Sequence, residues 1–367
     1  MKICMLTSGH DIYDNRIYYK EILSLKKEYD EIYLVAPGDK DFVTEEGINV
    51  KCFEKRKSWH DRIRPMQDMF DIAIKIKADV YHAHEPDSFQ VAVKLKNAIG
   101  SKAVYDSHEY HPEGFSEHFK IGKGLVTKII YDYEKKLGKQ ADLIISVNDI
   151  LINKFKSYNE NVALLPNYPM LSLNTVDKEY GQEPVFVYVG GLREDRGILK
   201  ILEAIKLVED KCKYIFIGPF ENDEFKNKAI RFKENQLKDK DVTFKGKIPH
   251  KEVFDYLKRA SAGFVLLQPS NWRYVNSEPI KIFEYMMSKT AVIASDFPMM
   301  RNIVKGAESG LLVKPQDIDK IAEAIRYIIN NKDEVKLMGE RGFARVKEMY
   351  NWSICEKRLL EAYKNLD

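Results

Sequence analysis

Lys281 and Glu284 stand three residues apart, directly behind Pro279, in the segment with the strongest chemical signal. Apolar residues around them are spaced to pack one face of a helix, which leaves the lysine and the glutamate together on a polar face. An ordinary ion pair on a helix surface explains the same two residues, so the pair alone does not decide between a structural and a functional interpretation.

The start of this helix is a candidate anion site. We expect Pro279 in its first turn and Ser277 or Glu278 as its cap, because these residue types favour those positions. The backbone N–H groups of Ile280 and Lys281 would then have no partner within the helix. Unpaired N–H groups at a helix N-terminus bind diphosphate well.

A second signal is the sequence Val-Gly-Gly-Leu-Arg-Glu-Asp-Arg-Gly at 189–197. Gly190 and Gly191 follow an apolar strand pattern, so a backbone there can approach a ligand closely. Arg193 and Arg196 follow, as candidates for neutralising a phosphate. The spacing is not G-x-G-x-x-G, and no acidic residue follows at the distance of a dinucleotide site, so we do not predict NAD binding.

A third cluster of polar residues follows the strand pattern at 103–105. It includes His108, between Ser107 and Glu109, at a strand end where ligand-binding residues of parallel sheets are found. His82 and His84 end another strand pattern, where packing at the end of the strand explains them as well as a role in ligand binding does.

The elements that must position these residues alternate between short apolar strands and helical patterns over 367 residues, which indicates two α/β domains. The strand candidates are 2–7, 31–36, 50–53, 80–83, 103–105, 143–147, 162–165, 185–189, 214–217, 242–244, 263–267, 291–294 and 310–313. Prolines at 166 and 169 and a polar stretch at 174–184 interrupt the pattern. We predict two doubly wound, Rossmann-like domains facing across a cleft: residues 1–168, with the C-terminal helix of about 352–367 packed back on them, and residues 169–351.

These motifs together resemble the large family of retaining glycosyltransferases with the GT-B fold, family 4 (glycosyl transferases group 1). The resemblance implies that Glu284 binds the ribose of a sugar nucleotide and that His108 contacts the donor sugar. It also implies that Arg196 and Lys281 bind the diphosphate. Many members carry a second glutamate eight positions before the first, where this chain has Asn276, with Glu278 close by.

Two further segments share the resemblance. Gly9 follows the first strand and is a candidate for backbone contact with the donor phosphates, in a segment with the pattern His-x-x-x-Asp-x-Arg-Ile. In this pattern we interpret Arg16 as a structural residue that ties the loop to the next helix. The turn at 244–249, with Ile248, matches the turn whose backbone pairs with the nucleobase.

The implied function is transfer of a sugar, with retention of configuration, from a nucleotide sugar to a glycan or a lipid-linked acceptor in polysaccharide biosynthesis. A UDP-sugar is favoured over a GDP-sugar. The alternatives are a sugar-nucleotide 2-epimerase of the same architecture and a non-catalytic protein that binds nucleotide sugars. We expect no metal and no cofactor besides the nucleotide-sugar co-substrate, because each Asp-x-Asp sequence, at 39–41, 239–241 and 317–319, lies in a polar turn or a helix start.

Charge and cysteine content bear on location and partners. The net charge of +3 does not favour nucleic acid, and the four isolated cysteines favour neither a metal site nor a disulfide framework. We therefore expect a cytoplasmic protein. The stretch from Lys51 to Arg64 carries six basic residues against two acids, interleaved with Phe53 and Trp59. It predicts peripheral contact with an anionic membrane, although a solvated basic loop explains it equally well.

Overall fold

The computed structural model describes residues 1–58, 61–116, 119, 121–171 and 178–366, of which the side chain of His250 is not described. The chain divides into two compact units. The first consists of Met1–Asn167 together with Trp352–Asp367, and the second of Tyr168–Asn351.

The first unit is built on an eight-stranded sheet in the order β3-β4-β2-β1-β5-β6-β7-β8. All neighbouring strands are parallel except β3, which is antiparallel to β4. The strands are β1 (Ile3–Leu6), β2 (Ile32–Pro37), β3 (Phe42–Val43), β4 (Asn49–Phe53), β5 (Val80–Ala83), β6 (Lys102–Ser107), β7 (Leu143–Ser146) and β8 (Val162–Leu164).

Helices cover this sheet because its strands are apolar on both faces, as in β1, whose four residues are all buried. The helices are a π-helical segment (Ile17–Ile22) that runs into α1 (Leu23–Leu25), then α2 (Ile63–Ile76), α3 (Pro86–Ile99), α4 (His111–Ser116), α5 (Lys123–Gly138) and α6 (Asp149–Lys156). The C-terminal helix Trp352–Lys364 completes the unit. Its Trp352 indole N–H donates to Ser24 Oγ at 2.9 Å, and its Tyr363 hydroxyl lies 2.6 Å from His82 Nδ1.

The second unit has a six-stranded parallel sheet in the order β11-β10-β9-β12-β13-β14. Its strands are β9 (Val185–Val189), β10 (Lys213–Ile217), β11 (Asp241–Gly246), β12 (Ala262–Val265), β13 (Ala291–Ser295) and β14 (Gly310–Val313). Its helices are α7 (Ile198–Lys206), α8 (Asp223–Gln236), α9 (His250–Leu257), α10 (Trp272–Val275), α11 (Ile280–Met287), α12 (Pro298–Val304), α13 (Ile318–Asn330) and α14 (Lys332–Glu348).

The strand order determines where a ligand site belongs in each unit. In the second unit the order reverses between β9 and β12, and in the first between β1 and β5. Doubly wound sheets bind ligands outside the carboxyl ends of the strands at such a reversal. The prediction of an α/β protein with two parallel-sheet domains is confirmed, and every predicted strand is present. The two-residue edge strand β3 was not predicted.

None of the described helices combines the length and the apolar character that a membrane-spanning helix requires.

Candidate active site

Glycines follow the carboxyl ends of two neighbouring strands in the second unit, β9 and β10. Gly190 follows β9 with φ +124° and donates its N–H to Ile217 O at 2.9 Å. Gly218 follows β10 with φ +142°, and a Cβ added there would lie 2.0 Å from Gly190 O. Because no side chain fits at Gly218, glycine lets these backbones approach each other and leaves space above them.

Two cations meet above Gly190. A Cβ built on this glycine would lie 3.1 Å from Lys281 Nζ and 3.4 Å from Arg196 Nη1. Arg196 comes from the 3₁₀ turn Glu194–Arg196, and Lys281 from the first turn of α11. Gly197 ends the 3₁₀ turn with φ +78°, and a Cβ there would lie 2.2 Å from Leu266 O. Close packing against the backbone just after β12 therefore holds the turn that carries the arginine in place.

The electrostatics of the pair favour an anion. Lys281 Nζ is buried, lacks a hydrogen-bond partner within the described part of the chain, and lies 4.1 Å from the centre of the Tyr188 ring. Burial, followed by the charge of Arg196, lowers the pKa of Lys281 to about 7. Arg196 Nε is likewise buried without a hydrogen-bond partner among the described residues. Two desolvated, like-charged groups at one point are costly unless an anion joins them.

The helix behind this pair begins differently from the prediction. Helix α11 starts at Ile280, and its N-cap residue is Pro279, which makes no side-chain capping hydrogen bond. Ser277 Oγ instead donates to Tyr274 O at 3.1 Å, so the predicted cap by Ser277 or Glu278 is wrong. Proline fills the cap position with its extended backbone. The N–H groups of Ile280 and Lys281 keep their place at the open end of the helix.

Arg193 does not join the cation pair. Its Nε and Nη2 lie 3.0 and 3.1 Å from the carboxylate oxygens of Asp195, and Nη2 lies 3.1 Å from Glu221 Oε1. These two carboxylates satisfy the guanidinium, so the group that accompanies Arg196 is Lys281. Asn276 ends α10 and donates from Nδ2 to Trp272 O at 2.9 Å.

The other predicted donor contacts lie on the same unit. Glu284 is half-buried one turn after Lys281 on α11, and Gly191 directly follows Gly190. Ile248 is half-buried and packs against the core of the unit. A groove of about 680 Å³, lined by residues that include Gly218, Phe220, Lys245 and Gly246, lies over the carboxyl ends of β10 and β11. Gly218 is both part of this groove and a neighbour of Gly190.

Sequence reasoning missed Tyr188, whose ring supports the lysine. It lies inside the apolar run of β9, where an aromatic residue at an alternating strand position is normally a core residue. Its hydroxyl donates to Gly191 O at 3.0 Å and thereby ties the ring to the glycine turn. A tyrosine two residues before the Gly-Gly pair was the available signal.

In the first unit, the loop after β1 is held by a carboxylate. Glu85 Oε1 accepts hydrogen bonds from the Thr7 hydroxyl at 2.6 Å and from the Gly9 N–H at 3.1 Å, and Oε2 accepts from the Ser8 N–H at 3.1 Å. The predicted contact of the Gly9 backbone with donor phosphates is therefore not available in this structure. Its N–H is already paired, and the partner is negatively charged.

His108 follows β6 and is 15% exposed, with Nδ1 3.9 Å from Asp106 Oδ1 and its ring centre 5.4 Å from that of His10. His10 Nδ1 lies 3.2 Å from Asp14 Oδ2, and this carboxylate raises the pKa of His10. Asp14 is fixed in turn, because Oδ1 accepts hydrogen bonds from the backbone N–H groups of Arg16 and Ile17 at 2.8 and 3.0 Å. A histidine–aspartate pair thus lies beside His108.

Behind His108 is a fully buried polar cluster. Arg16 Nη2 lies 2.9 Å from Asp106 Oδ2, and Arg16 Nε lies 2.8 Å from Glu21 Oε1. Burial alone would raise the pKa of Asp106, but the Arg16 guanidinium, together with His108 and His84, outweighs it and holds that pKa well below its usual range. Burial and the Asp106 charge raise the pKa of Glu21. The structural interpretation of Arg16 is therefore supported, since it ties the first helix to β6.

His82 and His84 belong to this cluster and do not face solvent. One ligand atom from each of Glu21, His82, His84 and Asp106 lies within 4.8 Å of the others, which is close enough for a metal site. The Arg16 guanidinium already occupies the cationic position between the two acids. A divalent ion would have to displace it, so we interpret the cluster as an internal ion network.

The basic stretch from Lys51 to Arg64 is not a free cationic patch. Lys51 Nζ lies 2.8 Å from Asp41 Oδ2, and Arg62 Nη1 lies 2.8 Å from Asp87 Oδ2. Arg64 lies within 3.2 Å of three carboxylates, those of Glu54, Asp61 and Asp68. Acids outside the stretch supply much of this pairing, which weakens the predicted attraction to anionic lipid, and that attraction stays a prediction. Trp59, its expected anchor, lies outside the described residues.

Known proteins resemble this chain in sequence and in fold. Residues 174–345 match the family model "Glycosyl transferases group 1", which covers the part of the chain that holds the two cations. TuaC of Bacillus subtilis, a glycosyltransferase assigned to teichuronic acid biosynthesis, is 32% identical over 142 residues. That match covers 38% of this chain and about a third (32%) of TuaC.

Two further proteins match over longer ranges. CapM of Staphylococcus aureus, a capsular polysaccharide biosynthesis glycosyltransferase, is 24% identical over 312 residues, which are 77% of this chain and 78% of CapM. HepE of Anabaena, solved in complex with UDP and with UDP-glucose, superposes with a TM-score of 0.77 at 14% identity and full coverage of both chains. The fold is therefore GT-B-like, and the family match and the named relatives support a glycosyltransferase of class EC 2.4.

Proposed function

We propose that the protein is a retaining glycosyltransferase that needs no metal ion and transfers a sugar from a nucleotide-diphosphate sugar to a glycan or lipid-linked acceptor of a cell-surface polysaccharide. One observation carries the proposal: Lys281 Nζ and Arg196 Nη1 converge above Gly190 without an acceptor for the lysine within the described chain. A diphosphate is the group that such a pair fits, because it offers two adjacent anionic phosphates.

The role proposed for Arg196 and Lys281 is to stabilise the leaving group of the reaction. The bond between the anomeric carbon and the donor phosphate breaks, and the acceptor oxygen bonds to that carbon on the same face. The acceptor proton passes to the departing phosphate. Negative charge grows on the diphosphate as it leaves, and cations already fixed in a dry site stabilise it without reorganisation. Arg196 and Lys281 perform this step, assisted by the N-terminus of α11.

The remaining donor contacts follow the resemblance. We propose that Glu284 accepts hydrogen bonds from the ribose hydroxyls and that the groove over β10 and β11 takes the nucleobase. The UDP and UDP-glucose complexes of HepE favour a uridine nucleotide. The role of His108 as a contact to the donor sugar also rests on the resemblance.

The class of acceptor rests on the relatives. TuaC and CapM carry names of teichuronic acid and capsular polysaccharide biosynthesis, which favours a growing glycan, soluble or lipid-linked, as the acceptor.

The test is transfer from a panel of UDP- and GDP-sugars to membrane-extracted acceptors, in the presence of EDTA. We expect acceptor-dependent transfer with at least one UDP-sugar, and a loss of kcat/KM by orders of magnitude in Arg196→Ala, because leaving-group stabilisation acts mainly in the transition state. Loss of activity in EDTA that manganese restores would refute independence from metal. A changed nucleotide sugar released without acceptor would indicate an epimerase, and binding without turnover a non-catalytic protein.

A further inference from the structure

Helix α5 of the first unit presents an unusually exposed apolar face. Of its sixteen residues, from Lys123 to Gly138, only Glu134 and Gly138 are buried. Leu125 is 66% exposed and Ile129 is 59% exposed, and Ile121, just before the helix, is 89% exposed. Aliphatic residues at every fourth position form a stripe on one side of a helix, and here that side faces solvent.

The opposite side of α5 is anchored to the unit. The Tyr105 hydroxyl on β6 donates to Glu134 Oε1 at 3.1 Å, and Lys154 on α6 forms an ion pair with the other carboxylate oxygen of Glu134. Helix α4 packs along the same helix. These contacts fix the rotation of α5, so the outward position of Leu125 and Ile129 is part of the fold.

The same face is basic. Lys128 and Lys136 are exposed and lie with Leu125 and Ile129 within an arc of about 100° on a helical projection. Lys139, just after the helix, is exposed as well. In the described chain these three lysines form no ion pair, unlike most of the basic residues from 51 to 64. Asp132 is the exposed acid on this arc.

We propose that this surface, which we call the α5 face (Ile121, Leu125, Lys128, Ile129 and Lys136), docks on an anionic phospholipid bilayer. Aliphatic side chains can enter the region between headgroups and acyl chains while the lysines, on long flexible stems, reach the phosphates. A second copy of the chain fits less well, because a two-fold contact would place the unpaired lysines against each other. The inference stands independently of the proposed catalytic function.

The experiment is sedimentation of the full chain with vesicles of phosphatidylcholine alone or mixed with phosphatidylglycerol, at low and high salt. We expect binding to the mixed vesicles only, weakened by salt because the charges are screened. Lys128→Ser with Lys136→Ser should lower the partition coefficient about 25-fold, since each basic residue near an anionic surface contributes about a fivefold gain. Leu125→Ser with Ile129→Ser should lower it about tenfold or more at every salt concentration.

The matched control is Lys75→Ser with Lys94→Ser, two exposed lysines on α2 and α3 of the same unit. It removes the same charge and should change binding less than twofold. UDP affinity and the thermal midpoint should be unchanged in all three variants, which separates this surface from the nucleotide site. The proposal is overturned if the wild type does not bind the mixed vesicles at low salt, or if the control pair weakens binding as much as the α5 pair. It is also overturned if the Leu125 and Ile129 substitutions instead dissolve a dimer.

Discussion

Replacing Lys281 with methionine should make the protein more stable and weaken its binding of nucleotide. The pKa of this lysine falls from its ordinary 10.5 to about 7 because the folded chain buries its ammonium group beside Arg196. A shift of that size corresponds to at most about 5 kcal/mol of destabilisation when the group is charged. Loss of the contact with the Tyr188 ring offsets roughly 1–2 kcal/mol of the gain, so we expect a net gain of at most about 3–4 kcal/mol.

The stability of the wild type should change with pH in a direction set by the lowered pKa of Lys281. The unfolded lysine keeps its proton up to about pH 10.5, whereas the folded one releases it near pH 7. The cost is therefore fully present below pH 7, and the stability of the wild type should rise between pH 7 and pH 10.5. The variant should lack this rise. Near pH 7 its thermal midpoint should therefore lie higher, by roughly 2–4 °C for each 1 kcal/mol gained in a domain of this size.

The affinity of Lys281→Met for UDP should fall, although its stability rises. Loss of a charged hydrogen bond to the diphosphate costs about 1.5–3 kcal/mol, or roughly 10–150-fold in the Kd of UDP. Scanning fluorimetry from pH 6 to pH 9 and titration calorimetry measure the two effects, with Lys305→Met, an exposed lysine of the same unit, as the control that should change neither. A lower midpoint in Lys281→Met, or an unchanged Kd for UDP, would refute the account of this residue.

Three further outcomes follow from the same site. UDP binding at pH 8 should take up protons, because the diphosphate restores the charge of Lys281. Calorimetry in buffers of different ionisation enthalpy measures this uptake, and equal heats of binding in all buffers would contradict it. Glu284→Gln should leave the thermal midpoint unchanged and weaken donor binding about tenfold by calorimetry, since it removes a charged acceptor; an unchanged Kd would reject the ribose contact. Gly218→Ala should destabilise the protein by several kcal/mol in denaturant unfolding, because its Cβ would lie 2.0 Å from Gly190 O. Gly246→Ala, with φ +71° and open space, should cost only about 1–2 kcal/mol, and equal losses in these two variants would contradict the packing argument.

The fold could be predicted because its signals are local. Short β-branched runs bounded by turns marked the strands of both sheets, and the glycines after β9 marked the end at which ligands bind. Strand β3 could not be found in this way, because Phe42 and Val43 pair as an antiparallel edge of only two residues. So short a run carries no periodicity.

The site could be predicted in part. Sequence reasoning selected Arg196 and Lys281, and the structure places both above Gly190. It also selected Arg193 as a second cation, which fails because Glu221, 28 residues away, holds that guanidinium. Side-chain pairing of this kind depends on tertiary structure, as does the burial of Lys281 against Tyr188.

The pairing of the basic stretch from 51 to 64 could not be predicted either, because it also depends on tertiary structure. Its excess charge is visible in the sequence, but Asp41 and Asp87, which neutralise part of it, lie outside it. The α5 face shows the converse. The sequence shows the basic residues of this segment, but only the structure shows that the apolar stripe beside them faces outward.

The most direct test of the central claim compares UDP with UMP by titration calorimetry, in the wild type and in Arg196→Ala. If Lys281 and Arg196 form a diphosphate site, UDP should bind the wild type at least tenfold more tightly than UMP, because the second phosphate joins both cations. Arg196→Ala should remove most of that difference while leaving UMP binding nearly unchanged. Equal affinities for UDP and UMP in the wild type, or a difference that survives in Arg196→Ala, would contradict the account.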